Sequence, residues 1–340
     1  MKRFLYIGQF SDGTTSKMRG KALKKLVKPI NFEVIDTTVP FSNTSRLWRS
    51  IGFRYKMGPL IKAINSYIEE NIQADYYDVI WVDKAVFITP KLTELLKSRT
   101  PKLIHFTPDM AFLENRSKFF TRAITIYDFV ITTKTAEEEI YKTYVPKDKL
   151  LLMSQGYSKE IHRPYNLFED KDNSIVFIGL AEQSRFDIAE VVISNNLTLK
   201  LVGHGWDKFV KKHKENKNLI YLGKTIHGEA YSKLISSSKF GLGLLSKRFQ
   251  ELHTTRTFEI PACGTALVTE RNSELEQFFD DDEVVFFKNH IDMVNKIKFF
   301  LKNPDECENL TKKGREKVLH KKFDYESQLF RITKEAGINS

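Results

Sequence analysis

Short runs of β-branched and aromatic residues alternate with longer amphipathic stretches along the whole chain. That alternation is the trace of β-α units building a parallel sheet with helices on both faces. In the first half it predicts strands over Arg3–Gly8, Phe32–Asp36, Val79–Val82, Lys102–Phe106, Phe129–Thr132 and Leu150–Met153. Helices are predicted between them over Ser16–Val27, Gly58–Glu70, Pro90–Lys97 and Ala136–Tyr144. A second series of strands follows over Ser174–Ile178, Leu197–Val202, Leu219–Leu222, Phe240–Leu245, Ala266–Val268 and Glu283–Phe287. At 340 residues the chain exceeds what one hydrophobic core normally holds, so the two series read as two Rossmann-like domains of an α/β fold.

The polar, proline-bearing stretch QGYSKEIHRPYNLFEDKD, Gln155 to Asp172, interrupts both series. The expected division is a first domain over 1–158, a linker over 159–172, a second domain over 173–320 and a C-terminal helix over 321–340. That helix, with Phe323, Leu329 and Ile332 among charges, could close against either half.

Two cysteines, Cys263 and Cys307, stand apart from any CxxC pairing, which suggests neither a thiolate zinc site nor a disulfide framework. The opening MKRFLYIGQF turns polar too soon for a secretory signal, and no stretch is apolar enough to span a bilayer. A cytoplasmic location is expected. The net charge of +11 is unevenly placed: residues 1–165 carry 27 Lys+Arg against 17 Asp+Glu, residues 166–340 carry 27 against 26.

Chemistry concentrates in ELHTTRTFEIPACG, Glu251 to Gly264, between the strands FGLGLL and ALV. A loop leaving the carboxyl end of a parallel strand and feeding a helix is where open α/β sheets bind ligands. Thr254 and Thr255 offer hydroxyls and capping, Arg256 adds a planar cation, and free amides at a helix start would complete a diphosphate site. Glu259, one turn beyond Arg256, could accept hydrogen bonds from a ribose diol. Thr-Thr reads equally as an ordinary cap, and Arg256 with Glu259 as a surface ion pair. Pro261 predicts a short or kinked helix, since it lacks the N–H to bond the Thr257 carbonyl.

These residues resemble the nucleotide-sugar-dependent glycosyltransferases of the GT-B type, and most closely the CgeB-like branch. The match runs through Glu251, His253, Thr254, Arg256, Phe258, Glu259, Pro261, Ala262, Cys263 and Gly264. It extends to TPD at Thr107–Asp109, YDFVITTK at Tyr127–Lys134, QGYSKEIHRP at Gln155–Pro164 and VFIG at Val176–Gly179. Glu251 and Glu259 also reproduce the E-x7-E spacing of family-4-like retaining transferases. The resemblance implies two domains facing each other across a cleft, with a C-terminal helix crossing back. The second domain would bind a nucleoside diphosphate sugar and the first the acceptor. It implies that Glu259 holds the ribose, that Glu251 faces the donor sugar, and that His253 and Thr254 lie beside sugar or phosphates. The CgeB-like branch often has Asp at the position of Glu251.

Arg256, with Lys247 or Arg185, would stabilise the charge that grows on a departing diphosphate. The loop from Gly179 to Arg185 leaves a strand at its carboxyl end, although it also reads as a plain solvated turn. Gly203 follows the next strand and would let the backbone approach a phosphate or base. In the first half, Gly8–Gly20 is rich in glycine and hydroxyls, and the G-x-G-x-x-G fingerprint of dinucleotide enzymes is missing there. His105 and Asp109, near the end of a strand, are candidates to orient the sugar or act on the acceptor hydroxyl; Asp83 is a weaker one. Asp170-Lys-Asp172 and Asp280–Asp282 read as solvated turns, so no metal and no other cofactor is expected.

The segment Phe41–Lys62 has five basic residues, no acidic ones, and Trp48, Phe53 and Tyr55 interleaved. It suits the anionic inner face of a membrane and a lipid-linked acceptor, with Phe119, Phe120 and Arg122 extending it. It also suits nucleic acid, as for the DNA-glucosylating enzymes of the same fold, and reads as well as a partly buried helix with a solvated basic face. The expected activity is transfer of a sugar from a nucleoside diphosphate donor to a saccharide or lipid-linked saccharide in cell-surface polymer or glycolipid synthesis. A DNA-modifying glucosyltransferase and a non-catalytic sugar-binding protein are the alternatives.

Overall fold

A computed structural model describes residues 2–338. Two compact units result. The first takes residues up to Ser154 together with those from Tyr325 on, and the second is Gln155–Asp324.

The first unit is built on six strands: β1 (Arg3–Gly8), β2 (Asn31–Asp36), β3 (Val79–Asp83), β4 (Leu103–Thr107), β5 (Phe129–Thr132) and β6 (Leu150–Leu152). All pair in parallel in the order β2-β1-β3-β4-β5-β6. Strand side chains alternate between faces, and both faces here are apolar. Leu5, Ile7, Ile80 and Val82 enter one core, Phe4, Tyr6, Val79 and Trp81 the other. Local chemistry fixes the helix starts: Thr14, Thr89 and Ser117 accept from the backbone N–H of Lys17, Leu92 and Phe120.

The second unit has β7 (Asp172–Ile178), β8 (Leu199–Val202), β9 (Leu219–Tyr221), β10 (Ser238–Leu242), β11 (Ala266–Glu270) and β12 (Val285–Phe287). They are parallel in the order β12-β11-β10-β7-β8-β9. Every strand expected from the sequence is present. β10 stops at Leu242, three residues short of expectation, and beyond it Gly243 N–H still donates to the Val268 carbonyl at 2.9 Å.

The segment read as a connection is built into the second unit. Tyr157 bridges to Asp324, and Tyr157, His162 and Lys171 are all buried. The end of the chain forms two helices, Pro304–His320 and Tyr325–Glu335. The latter packs on the Thr15–Val27 helix, with Tyr325, Leu329 and Ile332 in the core on that side of the first sheet.

Candidate functional site

In the second sheet the order of strands turns back between β7 and β10: the chain runs outward from β7 to β9 one way and from β10 to β12 the other. Ligands of doubly wound sheets bind at such a reversal, outside the carboxyl ends of the strands. The loops leaving β7 and β10 carry most of the residues singled out from sequence.

Glu182 ties the two loops together. Its Oε1 accepts from Lys247 N–H at 2.9 Å and Ser184 hydroxyl at 2.8 Å, and its Oε2 accepts from Ser246 hydroxyl at 2.9 Å. Burial opposes ionisation of this carboxyl, but the hydrogen bonds outweigh it and hold the pKa below its ordinary value. Glu251 accepts from Ser246 N–H at 3.1 Å and so belongs to the same cluster. Arg185 is buried, donating to the carbonyls of Leu180 at 2.9 Å and Leu244 at 3.4 Å. Burial first, then the like charge of Arg256, lowers its pKa, with Glu182 and Glu251 opposing. The Nε atoms of both arginines, and the Thr254 hydroxyl, are buried with no partner among the described residues. Two neighbouring guanidiniums with unspent donors form a place for an anion.

Arg256 opens a helix of seven residues, Arg256–Ala262, closed by Cys263 N–H donating to the Glu259 carbonyl at 3.0 Å; Pro261 lies inside it. Thr255 precedes it in helical conformation with no side-chain cap, and Thr254 N–H instead donates to the Thr257 hydroxyl at 3.1 Å. Glu259 faces inward: its Oε2 accepts from Tyr231 hydroxyl at 2.6 Å, while Oε1 makes no hydrogen bond among the described residues and lies 3.7 Å from His162 Nε2. Arg256 and Glu259 therefore do not form the surface ion pair that their spacing allows.

His253 is buried with both ring nitrogens engaged. Nε2 accepts from Gln155 N–H at 2.9 Å, which puts the proton on Nδ1, 2.7 Å from Glu274 Oε2. Its imidazole anchors the loop. Lys247 Nζ pairs with Glu270. Gly179 and Gly203 serve the approach of one loop to another: Gly179 N–H donates to the Val202 carbonyl, and a Cβ on Gly203 would lie 1.8 Å from the Gly179 carbonyl oxygen. Among the described residues no group of three or more His, Cys, Asp or Glu side chains is placed to hold a metal. Asp280 and Asp282 instead pair with Lys317 and Lys313.

Residues 185–333 match a family described as glycosyl transferase-like. Over the whole chain the fold is similar to that of Anabaena HepE, solved with UDP and glucose, at 13% identity and a TM-score of 0.64, covering 99% of this chain and 100% of that one. It is similar to sucrose-phosphate synthase of Thermosynechococcus elongatus at 13% identity and a TM-score of 0.71, with 98% of each covered. A glycosyltransferase of Rickettsia africae is 12% identical, with a TM-score of 0.62 and both chains fully covered. A comparison with curated proteins finds no match. The chain has the GT-B fold, with two Rossmann-like units.

The remaining candidates lie in the first unit. His105, on β4, is buried; its ring stacks on Phe120 at 4.3 Å, and Nε2 accepts weakly from Ala85 N–H at 3.5 Å. Burial pushes its pKa down to about 3, so it stands neutral in the core. Phe120, read as an extension of the basic surface, is part of the same packing. Asp109 is half-exposed and pairs with Lys84 at 2.8 Å. Asp83 is buried in a two-point ion pair with Arg19, at 2.9 and 3.1 Å, and accepts from Tyr6 hydroxyl at 2.7 Å.

Sequence reasoning passed over Glu182, Tyr231, His162 and Glu274. The signal available for Glu182 was its place in GLAEQSR, the loop after β7; for the others, contact depends on chain crossings that no local pattern encodes.

Proposed function

We propose that the chain moves a sugar from a nucleoside diphosphate sugar to a saccharide or lipid-linked saccharide, with retention of configuration, in cell-surface polysaccharide or glycolipid synthesis. The observation that carries this is the pair Arg185 and Arg256 at the β7/β10 reversal, adjacent, like-charged and each with a buried Nε that has no partner among the described residues. The HepE structures with UDP and with UDP-glucose support a uridine donor as the first to test.

In this reading the second unit binds the donor. Arg256 and Arg185, with Lys247 and the hydroxyls of Thr254 and Thr255, meet the diphosphate, whose charge grows as the bond from its oxygen to the anomeric carbon breaks. The acceptor hydroxyl oxygen forms the new bond to that carbon as its proton passes to the departing diphosphate. Glu259 offers Oε1 to the ribose, oriented by Tyr231, and Glu251 faces the sugar. His253 and Glu182 position the loops, and Gly179 and Gly203 let them close. The first unit takes the acceptor, with Asp109 beside it, and no metal takes part. The sequence ELHTTRTFEIPACG supports placement in the CgeB-like branch.

We place the enzyme in the cytoplasm, at the inner face of the membrane. No helix among the described residues is long and apolar enough to cross a bilayer. Leu47, Trp48, Tyr55 and Met57 are exposed beside the basic residues of 41–62, which supports peripheral docking. A thermal-shift panel of nucleotide sugars tests the donor: one nucleotide sugar should raise the melting temperature in proportion to concentration and affinity. No shift with any of them, and no donor turnover, would refute the proposal.

A further inference from the structure

The first unit holds an open groove of about 810 Å³, a size that suits a ligand. Five of its lining side chains are cationic, Arg46, Arg49, Arg54, Lys56 and Arg116, against one acid, Glu114. Arg46, Arg49, Ser50, Phe53 and Arg54 occupy one face of the Arg46–Tyr55 helix, at spacings where a surface helix ordinarily buries apolar residues. Arg46 and Arg49, three positions apart, repel one another. Among the described residues, Arg46, Arg49 and Arg54 have no ion-pair partner to offset this.

Arg49, Arg116 and Lys56 are nonetheless held in place. Arg49 lies over the Phe41 ring at 5.7 Å, and Arg116 Nε donates to the Phe112 carbonyl at 2.6 Å on the facing wall. Lys56 ends the helix in left-handed conformation, φ 53°, with its amine over the rings of Phe53 and Phe87. Guanidinium forks fixed around a concavity match discrete phosphate groups, each able to accept two hydrogen bonds. The exposed Leu47, Trp48, Tyr55 and Met57 do not line the groove. A flat bilayer would meet those residues, whereas Arg46, Arg49 and Arg54 line the groove, Arg46 and Arg54 exposed to an incoming ligand.

We propose that this groove binds the phosphate groups of the acceptor, so that the acceptor is a phosphate-bearing saccharide. The word acceptor rests on the glycosyl-transfer reading; the anion site does not. The test is calorimetric titration of the full chain with sodium tripolyphosphate in the presence of excess UDP, at low and moderate salt. Binding should be measurable, should weaken as salt rises, and should fall at least tenfold in the Arg46→Gln/Arg54→Gln variant. UDP-glucose affinity and the melting temperature should be unchanged in that variant. Equal tripolyphosphate affinity in the variant and the parent chain would overturn the proposal. So would a variant that loses sedimentation with phosphatidylglycerol vesicles while keeping tripolyphosphate, because the arginines would then serve a membrane. Arginine-dependent tripolyphosphate binding in a chain that ignores UDP-glucose would keep the groove and remove the donor assignment.

Discussion

Asp83 and Arg19 bury opposite charges against each other, with Tyr6 hydroxyl completing the carboxylate's shell. Removing one member of such a pair strands the other, so Asp83→Ala should destabilise the first unit by about 3–5 kcal/mol in urea unfolding. A catalytic Asp83 would instead leave stability nearly intact and abolish turnover. His105 makes a different demand. It is neutral when folded, with a pKa of about 3, but protonates near 6.5 when unfolded. The unfolded state therefore binds the extra proton, and stability present above pH 6.5 is lost as the pH falls toward 3. Between pH 6.5 and 5 the loss should be about 2 kcal/mol, and His105→Phe should flatten that slope in pH-dependent denaturation. At Glu259, substitution by Gln keeps an acceptor for Tyr231 but removes the charge; UDP-glucose binding should weaken about tenfold while the fold persists. Arg256 and Glu259 could be picked out from their spacing because their signal is local. Arg185 could be picked out too, from its loop after a strand end, but Tyr231 and His162 could not, because long-range pairing decides which side chains meet Glu259.

The strands were readable because each is a short run of residues that suit a sheet buried on both faces, as β3 and β4 are throughout. Their ends were less so. β7 begins at Asp172, inside the polar stretch read as linker, because Asp172 N–H donates to the Ser237 carbonyl across the sheet at 3.0 Å. That stretch looked solvated since its polar residues hide their partners: Lys171 is buried, donating to the Ser236 carbonyl, with its pKa lowered to about 8 by burial. Loop glycines read as room for a ligand proved to be room for backbone. Gly203→Ala should push the β7 and β8 loops apart, lowering stability by at least 1–3 kcal/mol and weakening donor binding with it. A fully stable Gly203→Ala protein would show that the loops yield freely.

At the scale of the molecule, the chain returns to its first unit after building its second. The amphipathic pattern of the last helix announced an apolar face without saying which half would cover it. Tyr325, Leu329 and Ile332 are buried with the first sheet, and Gln328 Oε1 accepts from Ser154 N–H and hydroxyl. A chain ending at Asp324 should lose several kcal/mol of burial in that unit, seen as faster hydrogen exchange in β1 and β3. Unchanged exchange there would mean that the helix is an ornament. The donor site is the claim on which most else turns, and titration of the intact chain and its Arg256→Gln variant with UDP-glucose tests it directly. Loss of a charge-assisted contact to the diphosphate should weaken binding roughly tenfold to a hundredfold, with melting temperature preserved. The same dissociation constant for both proteins would contradict it.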